Sequence, residues 1–567
     1  MSCNMKGTIM SLFVLCGAVF ILTLTQLVKG SPVSMAYRQK RQKLMDADKQ
    51  TGLGANLSLN AQEQIVDKII LMEKQVLMDP SIYNRTIYDP SLSFHQSKAN
   101  MEKTKLFKII QSMPKGGILH IHDLAMGSID WLVKNATYRE HIYMCVDADN
   151  FIVFAAFGQL PKNPDCVWKT VKSQRESSGN VFKFDQMLKQ NLSFLAVDPV
   201  AEYIDNDRAW DRFYKYFHQV MKIVYYIPVF KDFLWNALER IHSDNCQYVE
   251  YRGQLEGLFD LDNVERDAEF GTLMVREVMA NFTQQHPDFI GGKVILTGYR
   301  HTIREKVLQE VKTSVMLRGK YPEFFLGYDL VGDEVWFNSL LYYLDALLYP
   351  STLDPPFKLP YYFHAGETDW QETEVDYNLI DALLLNTSRI GHGFALSKHP
   401  HLAKLVYQRQ IAVEVNPVSN QLLRLVTDLR NHPMTSLMAD GLPVVISSDD
   451  PMVWEALPLS HDFFLALTTM SGKETGLAFL KQLAINSITY SGMSEKEKQR
   501  GMKLWQIKWD KFIKEQITLD VASSSLYFSH DNCSGCCYAN RYVLDILTMY
   551  FYNRCLSSLT LFTPVED

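Results

Sequence analysis

The chain has no excess of basic residues and few long apolar runs. Its 567 residues include 57 lysines and arginines against 64 aspartates and glutamates, which gives a formal net charge of -7 at pH 7. This balance argues against a nucleic-acid partner, because phosphate binding depends on clustered positive charge. Internal repeats and low-complexity tracts are also absent from the sequence. A hydrophobic content of 47% instead indicates a globular protein with a sizeable core.

One long apolar run does occur, and it lies at the N-terminus. Lys6 precedes "TIMSLFVLCGAVFILTLTQLV", and the small residues around Gly30 suit cleavage. This arrangement predicts a signal peptide over 1–30 and a secreted, extracellular protein. Because the run approaches the ~20 residues that span a bilayer, an uncleaved anchor is the alternative. Asn-x-Ser/Thr sequons, which accept glycans in exported chains, occur at Asn56, Asn84, Asn135, Asn191, Asn281, Asn386 and Asn532.

Cysteine is scarce, with nine in the chain. In a secreted protein the cysteines are disulfide candidates. Cys145 and Cys166 bracket a loop-like segment and are the predicted pair, whereas Cys246 lies in an apparent strand and is expected to be a buried free thiol. The C-terminal "CSGCC" has no second CxxC or histidine pair near it, so we do not interpret it as a metal centre.

The spacing of apolar residues divides the chain into regions. Residues 31–110 have the three- and four-residue apolar spacing of helices. Residues 111–517 alternate short apolar runs with helical stretches, which predicts an α/β fold, a TIM (β/α)8 barrel. Residues 136–195 interrupt this rhythm and form an expected insertion after the first strand, held by the predicted disulfide. No arrangement is predicted for the tail, 518–567. The eight runs are "GGILHIHD", "CQYVEYRG", "KVILTGYR", "FFLGYDLVG", "PYYFHAGE", "SRIGHGFA", "IAVEVNPVSN" and "PVVISSDD".

Residues able to bind a metal fall at the ends of these runs, where a TIM barrel carries its chemistry. His120 and His122 are two residues apart on one strand, so their side chains share a face. His364 ends another run, and Asp449 ends the last. Three imidazoles and a carboxylate suit a divalent ion with an open position for water. The alternative for each residue alone is an unrelated loop or core side chain.

Six motifs resemble the adenosine deaminase family: "MPKGGILHIHD", "FHAGETDWQ", "RIGHGFALSKHP", "EVNPVSNQ", "DLRNHP" and "VISSDDP". The long N-terminal region and the signal peptide are similar to its secreted branch, the adenosine deaminase-related growth factors. The resemblance covers roughly residues 31–517. It implies hydrolysis of adenosine, and of 2′-deoxyadenosine, to the inosine product and ammonia in a zinc-dependent TIM barrel.

The resemblance also implies roles for individual residues. The zinc ligands would be His120, His122, His364 and Asp449. Glu367 would protonate the purine ring nitrogen, His392 would position the water and take its proton, and Asp450 would bond the attacking oxygen or the purine. The expected substrate-binding residues are Asp123 at the ribose, Trp210 over the substrate and the backbone of Gly332 at the purine, together with Asp450.

Further expectations follow from the same resemblance. It implies a homodimer formed through residues 31–110, and a cell-surface receptor or glycan bound by the insertion. The sequence departs from the family near Tyr299, where "GYR" lacks an expected histidine. Two alternatives stay open: a signalling protein whose fold has lost its chemistry, and a deaminase of adenine nucleotides, for which Arg300 would lie near the ribose.

Overall fold

The structure is a computed structural model that describes residues 32–528, except 163, 165 and 263. The predicted signal peptide, Asn532 and the four C-terminal cysteines lie outside the described residues. Among the described residues, no helix combines the length and apolar character needed to cross a membrane.

Eight parallel strands form the barrel. Two four-stranded sheets have the orders β1-β5-β6-β7 and β11-β10-β9-β8. Parallel bridges between Ile121 and Asp449, and between Tyr328 and Tyr361, join the two sheets at both edges and close the ring. The predicted barrel is therefore confirmed: seven of the eight apolar runs contain a whole strand, and β6 begins two residues before "KVILTGYR". The strands are β1 Gly116–His122, β5 Cys246–Gly253, β6 Gly291–Tyr299, β7 Phe325–Val331, β8 His364–Ala365, β9 Arg389–His392, β10 Ala412–Val415 and β11 Val444–Ile446.

The strands are continuous apolar runs, so both of their faces must be shielded from water. Helices around the barrel cover the outer faces, and the strands are buried. The α-helices are α1 Pro32–Lys49, α2 Ala61–Asn84, α3 Phe94–Met101, α4 Lys105–Ser112, α5 Ile129–Lys134, α6 Val171–Ser177, α7 Val181–Leu192, α8 Pro199–Glu202, α9 Asn206–Val224, α10 Ile227–Ser243, α11 Ala268–Gln285, α12 Arg304–Lys320, α13 Leu344–Leu348, α14 Asn378–Leu384, α15 Pro400–Gln408, α16 Pro417–Leu422, α17 Met434–Ala439, α18 Ser460–Thr468, α19 Leu477–Thr489 and α20 Glu495–Phe528.

The N-terminal helix α2 packs against the last helix, α20. Asn60 caps α2, and its side chain accepts from the backbone of Glu63 in a capping box. The Glu63 carboxylate in turn accepts hydrogen bonds from the buried Trp509 indole at 2.7 Å and from Lys481 at 2.6 Å. Residues far apart in sequence thus tie the N-terminal region to the barrel. Helix α20 runs to Phe528, so the first part of the tail is helical.

The segment between β1 and β5 carries its own small sheet. Strands β2 (Ile142–Val146), β3 (Ile152–Ala156) and β4 (Lys169–Thr170) are antiparallel, in the order β3-β2-β4. A disulfide joins Cys145 to Cys166 with a Cα–Cα distance of 6.1 Å. The loop-like interpretation of the enclosed segment was wrong for β3, whose five residues are all buried. Its "FIVFAA" has the β-branched and aromatic residues of a strand, and sheet pairing with β2 decides the conformation.

Candidate active site

His120 and His122 project from the carboxyl end of β1 into one cluster. Their Nε2 atoms lie 3.3 Å apart, because alternate residues of a strand face the same side. The His120 side chain is fully buried and that of His122 is 14% exposed. The strand therefore holds two imidazoles side by side at the rim of the barrel.

Buried carboxylates hold the outer nitrogens of two histidines. Nδ1 of His120 lies 2.8 Å from Oε2 of Glu414, and Nδ1 of His364 lies 2.8 Å from Oδ2 of Asp329. A ring that donates through Nδ1 presents an unprotonated Nε2, the form that binds a metal. Both rings are thus oriented with Nε2 toward the cluster. Glu414 lies in the motif "EVNPVSNQ" and Asp329 in the apolar run "FFLGYDLVG", but their role could not be inferred without the contacts.

Asp449 completes the cluster from the end of the last strand. Its Oδ1 lies 3.3 Å from Nε2 of His120 and 3.2 Å from Nε2 of His122, while Oδ2 accepts a hydrogen bond from Ser419 at 2.7 Å. Its backbone is left-handed, with φ +59°. Such strain in a residue other than glycine is common at functional sites. The turn it produces lets Asp449 and Asp450 both contribute to one site, although neighbours on a regular strand face opposite ways.

The four side chains fit a zinc ion. One ligand atom from each of His120, His122, His364 and Asp449 lies within 4.8 Å of the others. Zinc–nitrogen and zinc–oxygen bonds near 2.0–2.1 Å place neighbouring ligands of a tetrahedron about 3.3–3.4 Å apart. The measured distances of 3.2 and 3.3 Å match that edge. A set of three nitrogens and one oxygen is also the chemistry that zinc accepts.

Glu367 lies beside this cluster in a turn that Glu334 fixes. The Glu334 carboxylate accepts hydrogen bonds from the backbone N–H of Gly366 at 3.2 Å and of Glu367 at 2.9 Å. Burial, and next the negative charges of Asp449 and Glu334, raise the pKa of Glu367 well above its ordinary value. This shift favours the protonated carboxyl, which is the form that can donate a proton.

His392 faces Glu367 from the end of β9. Its Nδ1 lies 3.2 Å from Oε1 of Glu367, and its Nε2 lies 3.8 Å from Oδ2 of Asp449. The backbone has φ +60°, another left-handed residue at this rim. Burial lowers the pKa of His392 well below its ordinary value, so the ring is neutral and able to accept a proton.

Two further aspartates lie at this rim. Asp450 is buried, and its Oδ1 has no hydrogen-bond partner among the described residues. Burial, and next the charge of Asp449, raise the pKa of Asp450 well above its ordinary value. Asp123 accepts hydrogen bonds from the hydroxyls of Tyr225 at 2.9 Å and Tyr251 at 3.4 Å. Asp123 is therefore held in place by the barrel.

A cavity of about 450 Å³ opens over these groups. Trp210 and Gly332, both predicted from the family resemblance, line it. Gly332 has φ +106°, a conformation that favours glycine. All the predicted catalytic, metal-binding and substrate-binding residues except His120 line the cavity, and His120 lies directly beneath His122. The other lining residues are Phe213, Tyr214, Phe217, His218, Met221, Lys222, Gln254, Thr297, Tyr299, His301 and Val331.

Sequence reasoning missed much of this lining. Helix α9 contributes seven residues to the cavity, at the three- and four-residue spacing of one helical face. A histidine near Tyr299 does line the cavity: His301 lies two residues beyond the end of β6, where strand spacing gives no guidance. Arg300 does not line the cavity: it is fully buried and donates to the carbonyl oxygen of His364.

Comparisons with known proteins agree with this geometry. The adenosine deaminase family model matches residues 190–504, and the adenosine/AMP deaminase N-terminal model matches residues 15–110. "Adenosine deaminase 2" of Sus scrofa is 41% identical over 482 residues, covering 84% of this chain and 94% of that protein. "Adenosine deaminase 2-A" of Danio rerio is 40% identical, covering 84% and 94%.

"Adenosine deaminase 2" of Homo sapiens is 38% identical over 491 residues, covering 86% of this chain and 95% of that protein. The resemblance seen in six sequence motifs thus extends over nearly the whole length of these relatives. Together with the barrel and the cluster at its rim, the matches establish that the chain belongs to the adenosine deaminase family.

Proposed function

We propose that the protein hydrolyses adenosine to inosine and ammonia with a bound zinc ion, and that it acts outside the cell. The activity follows from membership of the adenosine deaminase family and from its similarity to adenosine deaminase 2 proteins. One observation carries the metal proposal: the ligand atoms of His120, His122, His364 and Asp449 all lie within 4.8 Å of one another. The distances among His120, His122 and Asp449 match the edge of a tetrahedral zinc site.

His120, His122, His364 and Asp449 would hold the zinc ion, which would lower the pKa of a water to about 7 and so supply hydroxide at neutral pH. His392 takes the proton that the water loses, and Asp450 orients the attacking oxygen toward C6 of the purine. Glu367 donates its proton to N1, which accepts the electron pair displaced from the ring. His392 then protonates the leaving amine, Glu367 recovers a proton from the new C6 hydroxyl, and ammonia leaves inosine.

The substrate is adenosine, and 2′-deoxyadenosine is the expected second substrate. Asp123 would bond the ribose, Gly332 the purine, and Trp210 would cover the nucleoside. Arg300 gives no support to the nucleotide alternative, because its guanidinium is fully buried, donates to the carbonyl of His364 and does not line the cavity. The four proposed metal ligands lie together, and a signalling protein that had lost catalysis would have no need to keep them. This arrangement disfavours that alternative. Growth-factor activity through depletion of adenosine is compatible with the enzyme.

The test combines metal analysis with an absorbance assay of the secreted protein. We expect about one zinc ion per chain and conversion of adenosine to inosine, with AMP as the matched control substrate. Full activity after verified removal of zinc would contradict the mechanism. Preference for AMP over adenosine would instead favour the nucleotide alternative.

Secretion is proposed from the apolar segment over 1–30 and from the sequons. Asn191 differs from the other described sequons, since it is half-buried and its Oδ1 accepts hydrogen bonds from Ile152 and Gln219. Mass spectrometry of the secreted protein, with and without glycosidase, tests each site. The sequons whose asparagine is exposed are Asn56, Asn84, Asn135, Asn281 and Asn386.

A homodimer through residues 31–110 is supported by helix α1. None of its residues is buried in the single chain, and Val33, Tyr37 and Leu44 are 79%, 70% and 73% exposed. Their spacing places them on one face of the helix, as in a helix that packs against a partner. Tyr37→Glu with Leu44→Glu should convert a dimer into a monomer in sedimentation experiments. A parent that is itself monomeric would refute the proposal.

The insertion is the proposed site for a cell-surface receptor or glycan. A second cavity of about 550 Å³ lies beside the Cys145–Cys166 disulfide, and Val146 and Val167 at its edge are 55% and 77% exposed. Binding of the protein to cells, before and after removal of surface glycans, separates the two kinds of partner. Equal cell binding by a protein without residues 136–195 would contradict this location.

A further inference from the structure

Arg252 lies at the end of β5 and is fully buried. Its Nη1 donates to Oδ2 of Asp329 and to the carbonyl oxygen of Tyr362 at 3.1 Å, and its Nη2 donates to Oε2 of Glu414 at 2.6 Å. One guanidinium therefore binds two carboxylates that come from opposite sheets of the barrel, β7 and β10.

The oxygens that Arg252 binds are the same ones that orient the histidines. Oε2 of Glu414 also lies 2.8 Å from Nδ1 of His120, and Oδ2 of Asp329 lies 2.8 Å from Nδ1 of His364. A continuous chain of contacts thus runs from His120 through Glu414, Arg252 and Asp329 to His364. It links two proposed metal ligands that stand on strands β1 and β8.

We propose that Arg252 is a positioning residue that couples His120 and His364, so that the two imidazoles keep the separation and orientation needed to bind one zinc ion. This inference rests on the zinc site of the proposed function. Arg252 does not line the cavity. Its Nη1 lies 3.5 Å from Nδ1 of His364, but its shorter contacts go to the two carboxylates, and through these it orients both histidines.

The geometry of the guanidinium explains why an arginine stands at this position. Its planar fork presents separate N–H groups to two acceptors at once, whereas a lysine ammonium is a single point charge. The positive charge also offsets the repulsion between Asp329 and Glu414, both fully buried. Without the fork, each carboxylate can shift or rotate independently, and the histidine it holds turns with it.

Arg389 provides a matched control. It is also buried and also binds Glu414, but through Oε1, and its other carboxylate partner is Glu250. It makes no contact with Asp329 and forms no link between the two histidines. Arg389→Lys therefore reports the general cost of changing a buried arginine that touches Glu414.

The experiment measures zinc affinity by chelator competition in Arg252→Lys, which retains the positive charge. We expect zinc binding about 10–100-fold weaker than in the parent, as for other groups that orient metal-binding histidines. The visible spectrum of the cobalt-substituted protein should shift, because the ligand geometry changes. Arg389→Lys should give the parent spectrum and a smaller loss of affinity.

Asp329→Asn breaks the same link at its other end without removing Arg252, so it serves if Arg252→Lys does not fold. The variant that carries both Arg252→Lys and Asp329→Asn should bind zinc about as tightly as whichever single variant binds it more weakly. The reason is that each substitution breaks the same link. Three outcomes would each overturn the coupling. The losses of zinc affinity could add in the double variant, or Asp329→Asn could keep the parent's affinity and spectrum. Arg252→Lys and Arg389→Lys could also have equal effects.

Adenosine turnover by the parent tests the proposed function separately. A parent that binds zinc and deaminates adenosine, with Arg252→Lys unchanged in affinity and spectrum, overturns this inference alone. A parent that binds no zinc overturns both.

Discussion

Two clusters in this chain bring histidines and an aspartate together, and they differ in what surrounds them. In the barrel cluster His120, His122, His364 and Asp449 lie within 4.8 Å, and in the outer cluster His242, His286 and Asp288 are equally close. The barrel cluster is almost fully enclosed at the strand ends. The outer cluster is half-buried among helices α10 and α20 and the segment before β6.

The partners of the aspartate make the difference. In the outer cluster His242 Nε2 lies 3.0 Å from Oδ2 of Asp288, and Lys508 lies 2.5 Å from the same oxygen. Its carboxylate is therefore already paired with the Lys508 ammonium and in contact with the ring of His242. In the barrel cluster, outer carboxylates hold Nδ1 of His120 and His364 and leave the inner nitrogens for a ligand. Both clusters bring ligand-type residues close together. Only in the barrel cluster are the lone pairs of the histidine nitrogens directed toward a common point.

The largest expected effect comes from Asp449→Ala. Removing this carboxylate takes away one of four ligands, so we expect zinc and deamination to be lost together. Metal content and turnover of the purified variant check this. His286→Asn in the outer cluster is the matched control and should keep the parent's zinc and activity. Normal zinc content in Asp449→Ala would show that the barrel cluster is wrongly assigned.

Asp450→Asn should separate metal binding from catalysis. Asp450 lines the cavity next to the cluster but is not among the grouped ligands. We expect most of the zinc to remain and turnover to fall by about 10²–10³-fold, the loss typical when one preorganised group at the reacting oxygen is removed. The same preparation supplies both measurements. If the variant turns over adenosine nearly as fast as the parent, Asp450 has no role in the reaction.

Loss of the disulfide should have a smaller and more local effect. The proposed zinc ligands and Glu367 all lie outside 136–195, so Cys166→Ser should lower the secreted yield while the secreted fraction retains the parent's kcat. A native disulfide commonly contributes about 2–5 kcal/mol in small secreted domains. Peptide mapping of the parent without reductant should recover one linked peptide containing Cys145 and Cys166. Two free thiols there would contradict the pairing.

The smallest effect is expected from Asp288→Asn in the outer cluster. Burial by itself raises the pKa of Asp288, but hydrogen bonds from Lys508 and His242 outweigh it and lower the pKa from 3.8 to about 2. A lowered carboxyl pKa stabilises the fold above the unfolded value, and this contribution is lost as the pH falls toward 2. Because the side chain is 44% exposed, the loss at pH 7 should be at most about 1 kcal/mol.

Thermal unfolding of Asp288→Asn and its parent at pH 7 and across pH 4 to 2 checks this sign. The difference in stability should shrink as the pH falls. A decrease in zinc content on this substitution would mean that the two clusters are not as different as their contacts indicate.

The barrel and its rim could be predicted because their signals are local. An apolar run of alternating or continuous residues predicts a strand. A histidine or an aspartate at the end of that run is then predicted to place its side chain at the rim of the barrel. His120, His122, His364 and Asp449 each follow such a run. Once a barrel is inferred, the parallel strands bring their carboxyl ends to one rim.

The remaining parts of the site could not be predicted from local patterns. The aromatic face of α9 looks like any amphipathic helix until its packing over the cavity is known. His301 lies beyond its strand, where the turn decides its direction. Strand β3 was misread as loop because its conformation depends on pairing with β2.

The sequence by itself determined the family, the eight strands and the types of side chain at their ends, because these follow from residue identity and the two-residue period of a strand. The tertiary structure alone decided which of two histidine–aspartate clusters presents free lone pairs. That choice depends on Glu414, Asp329 and Arg252 meeting across two sheets. Hydrogen bonds between residues many positions apart leave no periodic signal in the chain, so only the folded barrel reveals them.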